Sequence, residues 1–219
     1  MVSAKIMQTI LKNTFWLTLA EASTRGVSFL VFIWMARHFG PEIYGKWAFA
    51  LNFVGLFAIL TDFGFSALTI RELARDKLKT SRYVGNILAM KLILGLITTG
   101  LIIFIIQFLG KEEEVVNLVY FLALYIVINN FATFFHSIFR ASEKMYFESI
   151  CRAVQGLSLL ALSAFFIISD KPILNVSYAY ITAALIGASL SLILIWHYFS
   201  KFFLKIDWSI CKEILKKTW

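Results

Sequence analysis

The chain has 219 residues, with 21 Lys and Arg against 13 Asp and Glu, which gives a formal net charge of +8. Its residues are 60% hydrophobic and 16% charged, whereas soluble domains are about half apolar and about a quarter charged. The apolar residues form long runs that lack the alternation of a membrane β-barrel. Composition therefore excludes an ordinary soluble domain and predicts an all-α membrane protein.

Six apolar runs are each long enough to cross a hydrocarbon core about 30 Å thick, which takes roughly 20 helical residues. They lie at about 14–37, 47–70, 83–109, 115–139, 149–168 and 174–199. We expect a six-helix transmembrane lobe over 14–199, preceded by a cytoplasmic interfacial segment at 1–13. Residues 200–219 mix lysines with apolar side chains, which predicts a cytoplasmic basic amphipathic segment on the membrane surface.

The distribution of basic residues predicts the orientation in the membrane. If the N-terminus is cytoplasmic, fifteen of the 21 Lys and Arg lie on the inner side, and four lie outside: Arg37, Lys46, Lys111 and Lys171. This asymmetry follows the positive-inside rule and predicts that both termini are cytoplasmic. The asymmetry also explains the positive net charge, so we expect no nucleic-acid partner. The expected partner of the helix surfaces is membrane lipid.

The first span carries polar residues on one helical face. Thr14, Thr18, Glu21, Arg25 and Ser28 follow at spacings of four and three residues, which places them on one side of a helix. Arg25 lies roughly 16 Å from the inner end of the span at about 1.5 Å per residue. We expect either an ion pair with Glu21 between packed helices or a charged face that lines a substrate cavity.

The second span carries Asn52, Asp62 and Ser66 near one face. Asp62 and Glu21 have similar predicted depths. If the first two helices pack antiparallel through these faces, Glu21, Arg25 and Asp62 form one cluster with surplus negative charge. Such a cluster suits coupling to H+ or Na+ through Asp62 and Glu21, and a purely structural bridge is the alternative.

Other polar residues in the spans favour structural interpretations. We expect His136 to be a hydrogen-bonded packing residue rather than a proton relay, and Lys91 to extend its ammonium group toward the interface. Arg152 is expected to anchor its helix at the headgroups. The sequence has no Gly-rich phosphate loop, HExxH motif or Cys/His metal-ligand spacing, so we predict a protein that is not an enzyme and has no metal or cofactor.

Four segments resemble the polysaccharide-biosynthesis flippases of the multidrug/oligosaccharidyl-lipid/polysaccharide exporter superfamily. They are ARHFGPEIYG at 36–45, TDFGF at 61–65 with IRELAR at 70–75, FRASEKM at 139–145, and ILKKTW at 214–219. The segments occur in order at matching topological positions and together span most of the chain. The resemblance implies the N-terminal lobe of a two-lobed transporter with twelve to fourteen spans, so a second lobe is absent from this chain.

The resemblance also implies a function, the export of polyprenyl-pyrophosphate-linked oligosaccharide across the cell membrane by alternating access. Under it, Arg25 is the candidate pyrophosphate contact because a guanidinium binds phosphate bidentately. Glu21 and Asn52 are further substrate candidates, and Arg37 and Arg71 lie near the two mouths, where they can guide the head group. A cation-coupled multidrug exporter and a truncated, non-transporting membrane scaffold are the alternatives.

Overall fold

The computed structural model describes residues 2–76, 80–198 and 207–218, and all of its regular structure is helical. The predicted all-α fold class is confirmed. The helices in chain order are α1 (Val2–Leu56), α2 (Ala58–Asp62), α3 (Phe65–Arg75), α4 (Thr80–Phe108), α5 (Glu113–Ala141), α6 (Met145–Ile168), α7 (Ile173–Tyr198) and α8 (Trp208–Thr218).

A sharp bend at Gly40 divides α1 into two arms. Gly40 lies between two helical stretches and has φ 78° and ψ 170°. In practice only glycine adopts this backbone conformation. Pro41 follows it at the first position of the second arm, where the missing N–H costs no helical hydrogen bond. The dipeptide therefore reverses the chain between the first two predicted spans.

The described residues contain five segments that are long and apolar enough to cross a membrane. The first is Met7–Arg75, whose 69 residues include the Gly40 bend. A straight helix of that length would extend roughly 100 Å, about three times the hydrocarbon thickness. The bend turns this segment into the two arms that correspond to the first two predicted spans.

Helices α4 to α7 begin and end within four residues of the predicted spans. The predicted 83–109 span corresponds to Thr80–Phe108, and the predicted 149–168 span to Met145–Ile168. The predicted connection at 140–148 is shorter in the structure, because α6 begins at Met145 and includes Glu148. Residues 200–206 of the predicted basic segment lie outside the described residues, as do Lys77, Lys79 and Trp219.

The interior consists of two apolar clusters, one toward each end of the lobe. The cluster at the Gly40 end includes Val31, Met35, Trp47 and Leu122. The cluster at the α8 end includes Phe65, Phe134, Phe139, Ile195 and Ile214. The α5 residues of the first cluster precede Asn129 and those of the second follow Asn130, so the two asparagines lie at the level between the clusters.

The second span is interrupted between α2 and α3. Phe63 and Gly64 both have positive φ, 48° and 80°, so the helix cannot continue through them. Asn130 on α5 donates a hydrogen bond to the Ala58 carbonyl (3.2 Å) and another to the Thr61 hydroxyl. Asn130 thus gives a backbone carbonyl and a hydroxyl group beside the break a hydrogen-bond partner in an apolar surrounding.

Polar contacts attach α8 to the neighbouring helix ends. Lys217 Nζ lies 2.9 Å from both Glu72 Oε2 on α3 and Glu213 Oε1 on α8, and Tyr83 on α4 donates to Glu213 at 2.6 Å. The hydrogen bond to Glu213 raises the pKa of Lys217, so the ammonium group stays charged at neutral pH. Ile210 and Ile214 bury the apolar face of α8 against the cluster at that end.

Replacing Gly40 with Ala is expected to destabilise the lobe by about 1–3 kcal/mol, the cost of holding a side-chain-bearing residue in a glycine-only conformation. Steric clash does not contribute, because an added Cβ at Gly40 meets no atom within 4 Å. Gly45→Ala is the matched control, because Gly45 is helical and has equally open space around it. Thermal unfolding in detergent should show a lower midpoint for Gly40→Ala and an unchanged or higher midpoint for Gly45→Ala. Equal midpoints would contradict this account of the bend.

Candidate functional site

The predicted polar face of the first span is exposed along its whole length. Thr14, Thr18, Glu21, Arg25 and Ser28 are all accessible on the first arm of α1. The Arg25 side chain is 80% exposed, although fifteen residues separate it from the Gly40 bend, which is roughly 22 Å of helix. A cation this far along a membrane span is costly in lipid, so this face needs water or another protein surface beside it.

Glu21 links Arg25 to the interior of the lobe. Arg25 Nε donates to Glu21 Oε1 at 2.9 Å, which confirms the predicted pairing of these two residues. The other carboxylate oxygen of Glu21 lies 3.1 Å from Arg152 Nη1 on α6. Arg152 is therefore part of an ion-pair network between α1 and α6, and its anchoring of the helix at the headgroups stays a prediction.

Glu148 is the buried centre of this network. Its side chain is 0% exposed, and Arg140 holds it with two hydrogen bonds of 2.7 and 2.6 Å from Nε and Nη2. Arg152 Nη2 lies 3.0 Å from the same carboxylate. Removing a carboxylate from water is expensive unless hydrogen bonds and opposite charges replace the lost solvation, and two guanidinium groups do so here.

The charge network therefore consists of Arg25, Glu21, Arg152, Glu148 and Arg140, in that spatial order. Three guanidinium groups and two carboxylates leave one net positive charge. The most exposed member is Arg25, at the end of the network. This arrangement can accept an anion at Arg25 while the inner members remain paired.

A polar cavity of about 160 Å³ adjoins the network. Its polar lining comes from four helices and includes Ser28, Asn129, Thr133, Arg152 and Gln155. Gln155 Nε2 donates to Asn129 Oδ1 at 3.0 Å, which fixes both amides at the wall of the cavity.

Gly187 on α7 makes room for Gln155. A Cβ at Gly187 would lie 2.7 Å from Gln155 Oε1 and 3.0 Å from its Cβ. His136 also lines the cavity; it is buried, with its Nε2 3.4 Å from the Ser191 hydroxyl. Ser191 in turn donates to the Gly187 carbonyl at 2.8 Å. The contact of His136 with Ser191 agrees with the packing interpretation of this histidine.

Asp62 belongs to a different cluster, so the predicted grouping of Asp62 with Glu21 and Arg25 is wrong. Lys91 Nζ on α4 lies 2.8 Å from Asp62 Oδ1 and 2.5 Å from Asn130 Oδ1. The Ser66 hydroxyl donates to the same Asp62 oxygen at 2.6 Å. Asp62 joins this cluster because the helix breaks directly after it. The break directs the Asp62 carboxylate toward α4 rather than toward the first arm of α1.

Lys91 is almost completely enclosed, with 1% of its side chain exposed. The prediction that it extends to the membrane interface is therefore wrong. Its ammonium group lies 3.4 Å from the Thr61 carbonyl as well as beside Asp62 and Asn130. A buried ammonium group with a carboxylate and two further oxygen acceptors has most of its lost hydration replaced.

The three remaining candidates lie apart from the charge network. The exposed Asn52 side chain donates to the Ala48 carbonyl of its own helix at 2.8 Å. Arg37 is exposed near the Gly40 bend, and Arg71 is exposed at the α8 end, where its Nη2 donates to the Lys217 carbonyl at 2.9 Å. No group of three His, Cys, Asp or Glu residues with metal-binding geometry occurs in the part of the chain that the structure describes.

Glu148→Gln is expected to destabilise the lobe by about 3–5 kcal/mol, because it removes the charge that two largely enclosed guanidinium groups share. Glu42→Gln removes the same charge at an exposed position of α1 and serves as the control. The readouts are thermal unfolding in detergent and the amount of folded protein in the membrane. A Glu148→Gln midpoint equal to that of Glu42→Gln would contradict the role assigned to the buried carboxylate.

Comparisons with known proteins place this geometry in context. A family model described as "Polysaccharide biosynthesis protein" matches residues 10–219. A search of curated proteins finds no match. Two solved structures have similar folds. The first is a MOP superfamily transporter from Pyrococcus furiosus, with 17% identity, a TM-score of 0.67, and 96% of this chain aligned to 50% of that one.

The second is a MATE protein in a bent conformation, with 17% identity, a TM-score of 0.71, and 97% of this chain aligned to 51% of that one. This chain thus spans about half the length of both solved proteins. The family model covers nearly the whole chain, and the helices fold like one half of these proteins. The chain belongs to the polysaccharide biosynthesis protein family and is a multi-pass membrane protein.

Proposed function

We propose that this lobe forms half of a flippase that moves polyprenyl-pyrophosphate-linked oligosaccharide across the cell membrane. The observation that carries the proposal is the exposed guanidinium group of Arg25, at the end of a charge network with one net positive charge. A guanidinium group with free N–H donors recognises a pyrophosphate through paired, charge-assisted hydrogen bonds. Arg25 is therefore the pyrophosphate contact.

The sign of the net charge on the network favours this function over cation-coupled multidrug export, which is the alternative transport function. A cationic drug requires surplus negative charge beside its site, whereas Glu21 is shared by Arg25 and Arg152. The surplus positive charge favours an anionic cargo. Membership of the polysaccharide biosynthesis family supports the same choice.

A complete substrate path needs a second lobe that faces the exposed side of α1. The two lobes enclose a hydrated cavity and expose it in turn to each side of the membrane, as in transporters built from repeated halves. The excess of basic residues in the predicted inner segments supports cytoplasmic termini. In this orientation Arg71 lies at the cytoplasmic mouth and Arg37 at the outer mouth, where each guides the charged head group, and Asn52 provides an amide for the sugars.

Coupling of transport to H+ or Na+ is assigned to Asp62. Its carboxylate already pairs with Lys91 at 2.8 Å, so a coupling cation must compete with a buried ammonium group. The Asp62 side chain is 29% exposed while that of Lys91 is 1% exposed, so an ion can approach the carboxylate from its open side. Glu21, paired with two arginines, is left as a substrate-site residue that orients Arg25.

Arg25→Ala is expected to reduce export of oligosaccharide by at least about tenfold, the loss that corresponds to one charge-assisted hydrogen-bonded contact. Folding should survive, because Arg152 still pairs with Glu21 and Glu148. Lys12→Ala removes an exposed cation from the same helix and serves as the control. The measurement is translocation of a fluorescent lipid-linked glycan by the complete polypeptide in liposomes. Normal translocation by Arg25→Ala would refute its role, and no translocation by the unaltered protein would favour the scaffold alternative.

Asp62→Asn is expected to reduce transport and to remove its dependence on a pH or sodium gradient. The single variant also leaves Lys91 without its carboxylate, which would disturb the fold by itself. Asp62→Asn combined with Lys91→Met separates the two effects, because it removes both charges. Recovery of gradient-dependent transport in the double variant would show that the pair is structural, whereas transport that stays low supports coupling at Asp62.

A further inference from the structure

An apolar groove lies between α1 and α6, on a different flank of α1 from the exposed polar face. It has a volume of about 760 Å³, and its lining includes Leu30, Trp34 and Arg37 on α1 with Leu157, Ala161 and Ala164 on α6. On both helices the lining residues recur at intervals of three and four, so each helix contributes one continuous stripe. Each stripe spans eight residues, or roughly 10 Å along its helix.

The sequence explains why a groove forms at this place. Near one end of the stripes the helices are in close contact, because Gly156 lacks a side chain and a Cβ there would lie 3.4 Å from Val27. Further along α6, Ala161 and Ala164 provide only methyl groups, so the space beside the larger Leu30 and Trp34 is not filled. The result is an apolar channel between two parallel stripes.

Arg37 is the charged residue in this lining, and it lies at the Gly40 end of the groove. Its side chain is exposed, and it makes no ion pair with any residue in the described part of the chain. An unpaired guanidinium group at the end of an apolar channel complements a molecule with one phosphate and a hydrocarbon tail. Arg37 is twelve residues beyond Arg25, which is roughly 18 Å along α1 and a rotation of about a third of a turn.

We infer that this groove binds the isoprenoid tail of the carrier lipid, with Arg37 holding the phosphate group next to the tail. The inference rests on the proposed function and adds a second binding site on the same helix. At the first binding site Arg25 contacts the pyrophosphate within the membrane. At the second binding site the phosphate lies at the Gly40 end of the lobe, and the tail extends back along α1 and α6 toward the bilayer centre.

Photo-crosslinking with a diazirine-bearing polyprenyl phosphate tests this assignment, with the protein in nanodiscs and labelled peptides mapped by mass spectrometry. We expect labelling of the α1 and α6 stripes. Filling the groove with Ala161→Trp and Ala164→Trp should reduce that labelling at least tenfold, and Arg37→Gln should reduce it several-fold. Leu96→Trp is the matched control, because Leu96 is a 76% exposed position on α4 outside the groove.

A milder filling variant, Ala161→Leu, keeps the test decisive if the tryptophan variants fold poorly, and it should reduce labelling in the same direction. Labelling that resists both fillings would overturn the inference. So would equal labelling of the stripes by a diazirine-bearing phosphatidylglycerol, because the groove would then hold ordinary membrane lipid. Crosslinking is measured without transport, so a failure of oligosaccharide export would count against the proposed function while the groove assignment is judged separately.

Discussion

The lobe depends on a carboxylate that is completely removed from solvent. Glu148 has no exposed surface and is held by Arg140 on α5 and Arg152 on its own helix. Such a group is tolerated only when its partners are fixed in position, because one missing partner leaves an uncompensated charge. The network therefore constrains α5 and α6 directly, and it constrains α1 through the contact of Arg152 with Glu21. The exposed Arg25 takes its position from this buried arrangement.

The same physical constraint explains the second polar cluster. The break after α2 leaves backbone carbonyls without their helical partners, which is costly in an apolar surrounding unless other donors replace them. Asn130 and Lys91 supply donors to Ala58 and Thr61, and Asp62 balances the charge of Lys91. An interrupted helix thus stays ordered between two apolar clusters. The break also determines which helix the Asp62 carboxylate meets, and it separates this residue from Glu21.

Periodicity and hydrophobicity were sufficient to predict the helices, because the bilayer fixes their length and composition. The Arg25–Glu21 pair was also predictable, since a spacing of four residues places both on one face. The partners across helices were not predictable in this way. The segment around Glu148 reads as a loop in sequence, although its spacing of four residues from Arg152 was a usable signal. Asp62 was assigned to the wrong cluster because φ at Phe63 and Gly64 is set by tertiary packing.

The corrected partners reverse the sign of the net charge at the site, and this reversal determines which ions Arg25 can attract. A cluster of Glu21, Arg25 and Asp62 would carry surplus negative charge and attract cations. The observed network exchanges Asp62 for Arg152 and adds the Glu148–Arg140 pair, so its surplus is positive. Because Glu148 and Arg140 neutralise each other, the sign is decided by Arg152. Arg152 engages both Glu21 and Glu148, so it reduces the negative charge that Glu21 presents to Arg25 and leaves the exposed guanidinium group available to an anion.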